Sequence, residues 1–218
     1  MTRFALALFV LGGLLFAVAA EEPKAVKTDF EDAKVGALPK GWTAAQTGTG
    51  EGSVWKVVED KNAPKGSKVL AQTGANPIAT FNMCVADASS FKDVSVSVAF
   101  RAVEGEKDQG GGVVWRYKDA KNYYTARFNP LEDNFRVYKI VDGKRTQLGS
   151  AGELQPEIGK WHTLSVTMKG DAITCSLNGK KHLDVKDATF AEASKVGLWT
   201  KADAHTYFDD FQATELGK

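Results

Sequence analysis

Between Val94 and Arg101 the chain alternates strictly: Val94, Val96, Val98 and Phe100 are apolar, while Ser95, Ser97, Ala99 and Arg101 are small or polar. A period of two sends successive side chains to opposite faces of a strand, so this segment predicts a half-buried β-strand. Similar short runs recur at 53–59, 67–72, 78–85, 111–117, 122–129, 134–141, 161–169, 172–178, 194–200 and 205–214. Asp142-Gly143 and Asn178-Gly179 lie between such runs, where positive φ at both central positions suits a two-residue hairpin, and Gly170-Asp171 serves a third. No proline falls inside a run, and only Asp187–Ala193 has helical flavour. The pattern predicts an all-β, antiparallel two-sheet sandwich over residues 28–218. Within the last run Phe208 and Phe211 cannot both face inward on a regular pleat, so a β-bulge is predicted between them.

The first twenty residues follow another rule. Arg3 precedes an uncharged apolar run from Phe4 to Phe16, and Ala17-Val18-Ala19-Ala20 closes it with small residues before Glu21. This is the pattern of a secretory signal peptide over 1–20, which predicts a secreted or periplasmic protein. An uncleaved anchor is the alternative, since about 17 apolar residues lie at the short edge of a membrane span. After cleavage no transmembrane segment is expected. Residues 21–27 read as a linker.

Composition narrows the partners. The chain has 218 residues, 28 Lys and Arg and 27 Asp and Glu, and removal of 1–20 leaves 27 of each sign. Nothing in that balance argues for nucleic acid. Cys84 and Cys175 are the only cysteines. Cys175 shares a strand face with apolar Ile173 and Leu177, whereas Cys84 shares one with Asn82, so parity predicts one thiol inside, one outside, and no disulfide. Two distant thiols cannot make a zinc site.

Several phrases occur in order along nearly all of 28–214: Asp29-Phe30-Glu31-Asp32 followed by Pro39-Lys40-Gly41-Trp42, Gly112-Val113-Val114-Trp115-Arg116-Tyr117, Asn122-Tyr123-Tyr124, Gly159-Lys160-Trp161-His162-Thr163-Leu164, Leu177-Asn178-Gly179, Val196-Gly197-Leu198-Trp199 and Phe208-Asp209-Asp210-Phe211. Together they resemble the concanavalin A-like lectin/glucanase superfamily, close to its laminin-G-like and 3-keto-disaccharide hydrolase-like secreted bacterial branches. The resemblance implies a jelly roll with one concave, saccharide-binding sheet, often with a calcium ion bridging the first and last strands. The positions matching that metal site are Asp29 or Glu31 and Asp209 or Asp210. The fold alone does not fix an activity, because it carries lectins, hydrolases and interaction modules.

Arginine marks a candidate surface. Beyond Arg3, all five arginines fall between Arg101 and Arg145. Parity turns Arg101, Arg116, Arg127 and Arg136 away from the apolar face of their strands. If 111–117, 122–129 and 134–141 form a meander, Arg116, Arg127 and Arg136 share one outer surface with Tyr123 and Tyr138. Guanidinium groups donate bidentately to carboxylates, sulfates and hydroxyls, and tyrosine rings stack on sugars, so this surface suits a poly- or oligosaccharide. The alternative is a sheet face laced by pairs with Glu132, Asp133 and Lys139. No Glu-x-Asp-x-Glu run of the glucanase branch is present, and Glu132-Asp133 are adjacent, hence on opposite faces. A glycoside-cleaving enzyme of the 3-keto-disaccharide hydrolase type stays open as the second reading. His162, His182 and His205 are too scattered for a triad or metal cluster. Trp42, Trp55 and Trp161 are expected in the core, and Trp199 is the tryptophan expected on the surface.

Overall fold

The computed structural model describes residues 24–155 and 157–217; the signal-peptide assignment lies outside them. The described residues form two antiparallel sheets of eight and seven strands and no helix. The larger sheet runs β13 (Lys180–Lys186), β12 (Ala172–Leu177), β11 (His162–Lys169), β6 (Val94–Glu104), β15 (His205–Glu215), β4 (Lys68–Gln72) and β3 (Trp55–Glu59), with β1 (Ala25–Thr28) also paired to β15. The smaller runs β10 (Lys144–Gly152), β9 (Asn134–Val141), β8 (Asn122–Asn129), β7 (Gly111–Asp119), β14 (Lys195–Lys201), β5 (Phe81–Ala86) and β2 (Trp42–Thr47). The result is an antiparallel jelly-roll sandwich. No helix of the described residues is long and apolar enough to cross a membrane.

The alternation in β6 does what its period requires. Val94, Val96, Val98 and Phe100 enter the core beside Leu164, Val166 and Met168 of β11. Val113, Trp115, Tyr124, Ala126, Phe128, Phe135 and Val137 meet them from the opposite sheet. Both Asp142-Gly143 and Asn178-Gly179 have positive φ at both residues. In β15, register shifts between Asp209 and Gln212 and Asp210 has φ 47°, so Phe208 and Phe211 both reach the core.

Four strands escape the sequence pattern. β2, β10 and β13 are flank strands without a clean two-residue alternation, β10 and β13 largely exposed, and β1 occupies 25–28, where a linker is expected. Ala25–Thr28 pair with Phe211–Thr214, beyond the segment of β15 that pairs with β4. Backbone pairing, not side-chain burial, holds this short segment in place. Asp187–Ala193 is irregular rather than helical.

The seven-stranded sheet is buried on both faces. Its outer face carries a second cluster of Phe81, Met83, Val85, Val114, Tyr123, Tyr138, Ile140 and Trp199. Curvature explains this. β2 and β8 are separated by three strands, about 19 Å in a flat sheet, yet Thr47 Oγ1 of β2 lies 2.8 Å from Tyr123 Oη of β8. Arg145 of β10 likewise lies 5.1 Å from the centre of the Phe81 ring of β5. The sheet therefore curls into a trough. Cys84 consequently faces the main core, not outside, because the outward set on β5 is Phe81, Met83 and Val85. Both thiols are free, as expected, but both are buried, against the expected outward Cys84. Burial pushes Cys84 up, with help from Asp87, and raises Cys175 to about 12 for the same reason.

Close strand approach leaves no room at Gly112: an added Cβ would lie 2.1 Å from the Ala126 carbonyl oxygen and 2.9 Å from the Arg127 Cα. Gly112→Ala is expected to lower stability by about 1–3 kcal/mol, read as a drop in the urea midpoint; an unchanged midpoint would show that β7 and β8 have slack.

Candidate functional site

The β7–β8–β9 meander forms as expected and places Arg127 directly opposite Arg136, with Gly112 on the other side of Arg127. Two like charges at opposed positions destabilise a sheet unless something neutralises them. Glu132, in the hairpin between β8 and β9, does so: its Oε2 is 2.7 Å from Arg127 Nη2 and 3.8 Å from Arg136 Nη1. Asn134 completes the fork, accepting from Arg127 Nη1 at 2.7 Å and donating to Glu132 Oε2 at 3.1 Å. Asn129 shapes the same turn by accepting the Leu131 and Glu132 amides.

A second carboxylate arrives from the loop after β6. Asp203 accepts the backbone N–H groups of Glu106, Lys107 and Asp108 and so gathers this loop. Asp108 is then buried, with Oδ1 accepting Gly110 N at 2.7 Å and Asn129 Nδ2 at 3.1 Å and Oδ2 facing Lys201 Nζ at 3.3 Å. Burial raises the Asp108 pKa against the pull of Arg127, the Gly110 amide and Lys201. Burial acts upward on Glu132 too, but the charge and hydrogen bond of Arg127 outweigh it and hold that carboxyl below its ordinary value. Two acids near one guanidinium are thus driven in opposite directions.

Arg127 is 1% exposed, and its Nε has no hydrogen-bond partner among the described residues; the Tyr138 hydroxyl, 3% exposed, has none either. Tyr123 is on the same face but buried, its hydroxyl shared with Thr47, and burial drives its pKa strongly upward. Arg136 is half-buried and donates to Ser150 Oγ at 3.2 Å. The expectation of a shared outer surface therefore holds for Tyr123, Arg127, Arg136 and Tyr138.

It fails for Arg116. That residue has φ 45° in a bulge where the registers of β7 with both β8 and β14 shift, and the bulge reverses its parity. Its guanidinium is 2% exposed and donates to the carbonyls of Lys92 at 3.0 Å and Gly170 at 2.8 Å and to that of Phe190, with Asp93 Oδ1 at 3.4 Å. It is a clamp between the ends of the sheets. Arg101 lies elsewhere, paired to Asp60 at 2.8 Å and placed over Trp161 and Tyr207. Trp161 is therefore a half-buried surface residue and not core, while Trp199, expected outside, is fully buried against Phe81.

Parity missed Asp108, Asn129, Asn134 and Lys201, whereas Glu132, expected to pair with this face in the alternative reading, does so with Arg127 and Arg136. Lys201 follows Trp199 by two residues and was within reach of the same alternation; Asp108 sits on a loop, where period-two reasoning has no force.

The structure turns the calcium ligands implied at Asp29, Glu31 and Asp209 onto backbone amides. Glu31 Oε1 accepts the amides of Ser67 and Lys68, and Lys68 Nζ sits on the Glu31 carbonyl. Asp209 is fully buried, with Oδ2 on Lys65 N at 2.8 Å and Oδ1 on Asp210 N at 2.6 Å. Asp29 Oδ1 accepts Glu31 N at 3.3 Å. Calcium takes about six to eight oxygens, and no group of three or more His, Cys, Asp or Glu among the described residues is arranged to hold a metal. The residues present do not fit the ion.

Comparison with known proteins places these features. A family model described as 3-keto-alpha-glucoside-1,2-lyase-like domain matches residues 28–213. The carbohydrate-binding module CBM66 from Bacillus subtilis superposes with TM-score 0.64 at 18% identity over 80% of this chain and 95% of its own. The cellulose-induced protein Cip1 gives 0.62 at 15% over 88% and 99%. The exoplasmic/lumenal domain of VIP36, in a Ca2+/Man3GlcNAc-bound form, gives 0.58 at 10% over 91% and 92%. At such identities the likeness is one of fold. No curated protein matches the chain.

Two outcomes test this geometry. Arg116→Ala strands three carbonyls and an acid and is expected to cost on the order of 3 kcal/mol in urea unfolding; a loss below a third of that would refute the clamp. Asp209 has its pKa raised to about 6, by burial first and by Asp210 and Asp29 after it, against the amides of Lys65 and Asp210. A pKa raised above the unfolded value of about 3.9 means that the folded state binds the extra proton, so this group's contribution to stability falls as pH rises from about 4 to 6. Asp209→Asn is expected to flatten the melting temperature over that interval, and a slope identical to wild type would contradict the assignment.

Proposed function

The chain belongs to the 3-keto-alpha-glucoside-1,2-lyase-like domain family, and from that premise we propose that it is an exported β-sandwich that binds a saccharide in the trough of its seven-stranded sheet. The observation that carries this reading is the pair of buried, unpartnered donors there, Arg127 Nε and the Tyr138 hydroxyl. A buried polar group left without a partner costs about 1–3 kcal/mol. A sugar hydroxyl relieves that cost, since it accepts from a guanidinium while donating to a neighbouring oxygen such as Glu132 Oε2. Arg136 and Asn134 stand beside the same point. The likeness to the carbohydrate-binding module CBM66 and to the Man3GlcNAc-bound VIP36 domain supports a saccharide as the ligand on this fold. Export rests on the apolar leader, with cleavage after Ala20.

A second reading is favoured by the two acids. Elimination of a 1-O-substituent beside a 3-keto group needs a base for the C2 proton and an acid for the departing oxygen. Glu132, whose pKa Arg127 lowers, and Asp108, whose pKa burial raises, are shifted in the opposite directions that a base and an acid require. Release of the leaving alcohol from a 3-keto-glucoside, abolished in Glu132→Gln, would establish this reading over simple binding.

The binding reading is tested by Tyr138→Phe and Arg127→Lys on a glycan array followed by calorimetry. Tyr138→Phe removes only an unpartnered hydroxyl, so it is expected to leave the melting temperature unchanged or raised while weakening the best glycan about five- to tenfold. Arg127→Lys keeps the charge on Glu132 but loses the fork and is expected to weaken it at least tenfold. Wild-type affinity in both variants would remove the site.

A further inference from the structure

The trough continues past Lys201 into a cleft of about 630 Å³ lined by nine residues, among them Thr47, Phe81, Lys121, Gly143, Arg145 and Lys201. Three of the nine are cations and none is an acid. Resting on the saccharide reading above, we infer that this cleft is an anion subsite: the ligand is an acidic saccharide whose carboxylate or sulfate is held by Arg145, with Lys121 and Lys201 beside it.

Arg145 is the organising residue. Its guanidinium carbon lies 4.5 Å from the centre of the Tyr138 ring and 5.1 Å from that of Phe81, so two aromatic rings hold it from two elements, β9 and β5. Such cation–π contacts engage the faces of the guanidinium and leave its rim of N–H donors for in-plane hydrogen bonds. Yet the Arg145 side chain has no hydrogen bond or ion pair among the described residues, and neither does that of Lys121. A preformed fork with unspent donors is matched by the two oxygens of a carboxylate or sulfate. Both Arg145 and Lys121 are exposed, so an incoming anion meets them without rearrangement.

The rest of the cleft fits a sugar rather than a bare ion. Phe81 contributes an aromatic wall and Ile78, 51% exposed, an apolar rim, while the Thr47 hydroxyl is held by the Ala120 carbonyl and Tyr123. Lys201 belongs both to the cleft and, through Asp108 Oδ2 at 3.3 Å, to the polar group around Arg127. One monosaccharide placed on Arg127 and Arg136 therefore puts its neighbour toward Arg145. Because residues 21–218 carry 27 charges of each sign, this local excess of positive charge is a property of the cleft and not of the whole chain.

The test is calorimetric titration of the chain with three oligosaccharides of equal length, one neutral, one containing a uronate and one sulfated, at low and high salt. At least one acidic ligand is expected to bind tenfold or more tightly than the neutral one at low salt, with the gap narrowing at high salt; which of the two does so identifies carboxylate or sulfate. Arg145→Ala combined with Lys121→Ala is expected to bring the acidic ligand down to the affinity of the neutral one. Lys121→Glu, a change at an exposed position that leaves the core alone, is expected to reduce the same gap several-fold at an unchanged melting temperature. Equal affinity for neutral and acidic ligands, or a gap that survives the double substitution, overturns the subsite while leaving the saccharide reading in place. Failure of all three ligands, with an empty glycan array, overturns both.

Discussion

The curl of the seven-stranded sheet is the constraint on which the molecule depends. A flat sheet would leave the outer positions of β5, β8, β9 and β14 in water; curling brings Thr47 of one edge to Tyr123 and Arg145 of the other to Phe81. The aromatic and aliphatic side chains between them are thereby buried, and the hydrophobic gain offsets the strain of bending. That burial also strengthens every charge interaction in the trough, because fewer waters screen it. At one end of the trough the same geometry opens a cleft of about 630 Å³ beside Thr47, Phe81 and Arg145.

Around Arg127, one carboxylate holds the electrostatics together. Arg127 and Arg136 are opposed across β8 and β9, an arrangement tolerated because Glu132 reaches both. Burial of Arg127 is thus possible only with that hairpin acid in place. Asp108 and Lys201 add a second opposite-sign pair nearby. The protein keeps this network only partly satisfied, leaving Arg127 Nε and the Tyr138 hydroxyl without partners. Partial satisfaction is costly for stability and is the usual signature of a place shaped for something else. Three cations farther along the trough, of which Lys201 is paired to Asp108, line a cleft with no acid of its own and are the basis of the anion subsite proposed above.

Much of the fold was legible because core strands obey a two-residue period. Residues 122–129 and 134–141 were readable as strands to the residue, and the bulge in β15 followed from Phe208 and Phe211 alone. The flank strands β1, β2, β10 and β13 were not, since they pair on one side only or bury isolated residues such as Trp42 and Leu183 without a sustained alternation. Site residues divided along the same line. Arg127, Arg136, Tyr123 and Tyr138 lie on regular strands and could be placed by parity, whereas Arg116 was misplaced by a bulge whose cause lies in two neighbouring strands.

By itself, then, the sequence determined the fold class, the paired hairpins and the face on which Arg127 and Tyr138 emerge, because alternation and turn chemistry are local and each is written in a few consecutive residues. Only the tertiary structure decided that this face is a buried trough, that Asp108 joins it, that Arg116 leaves it, and that Asp29, Glu31 and Asp209 turn to backbone amides. Those outcomes depend on sheet curvature, on loops and on bulges, where residues far apart in the chain set one another's positions and no period runs through the sequence to record it.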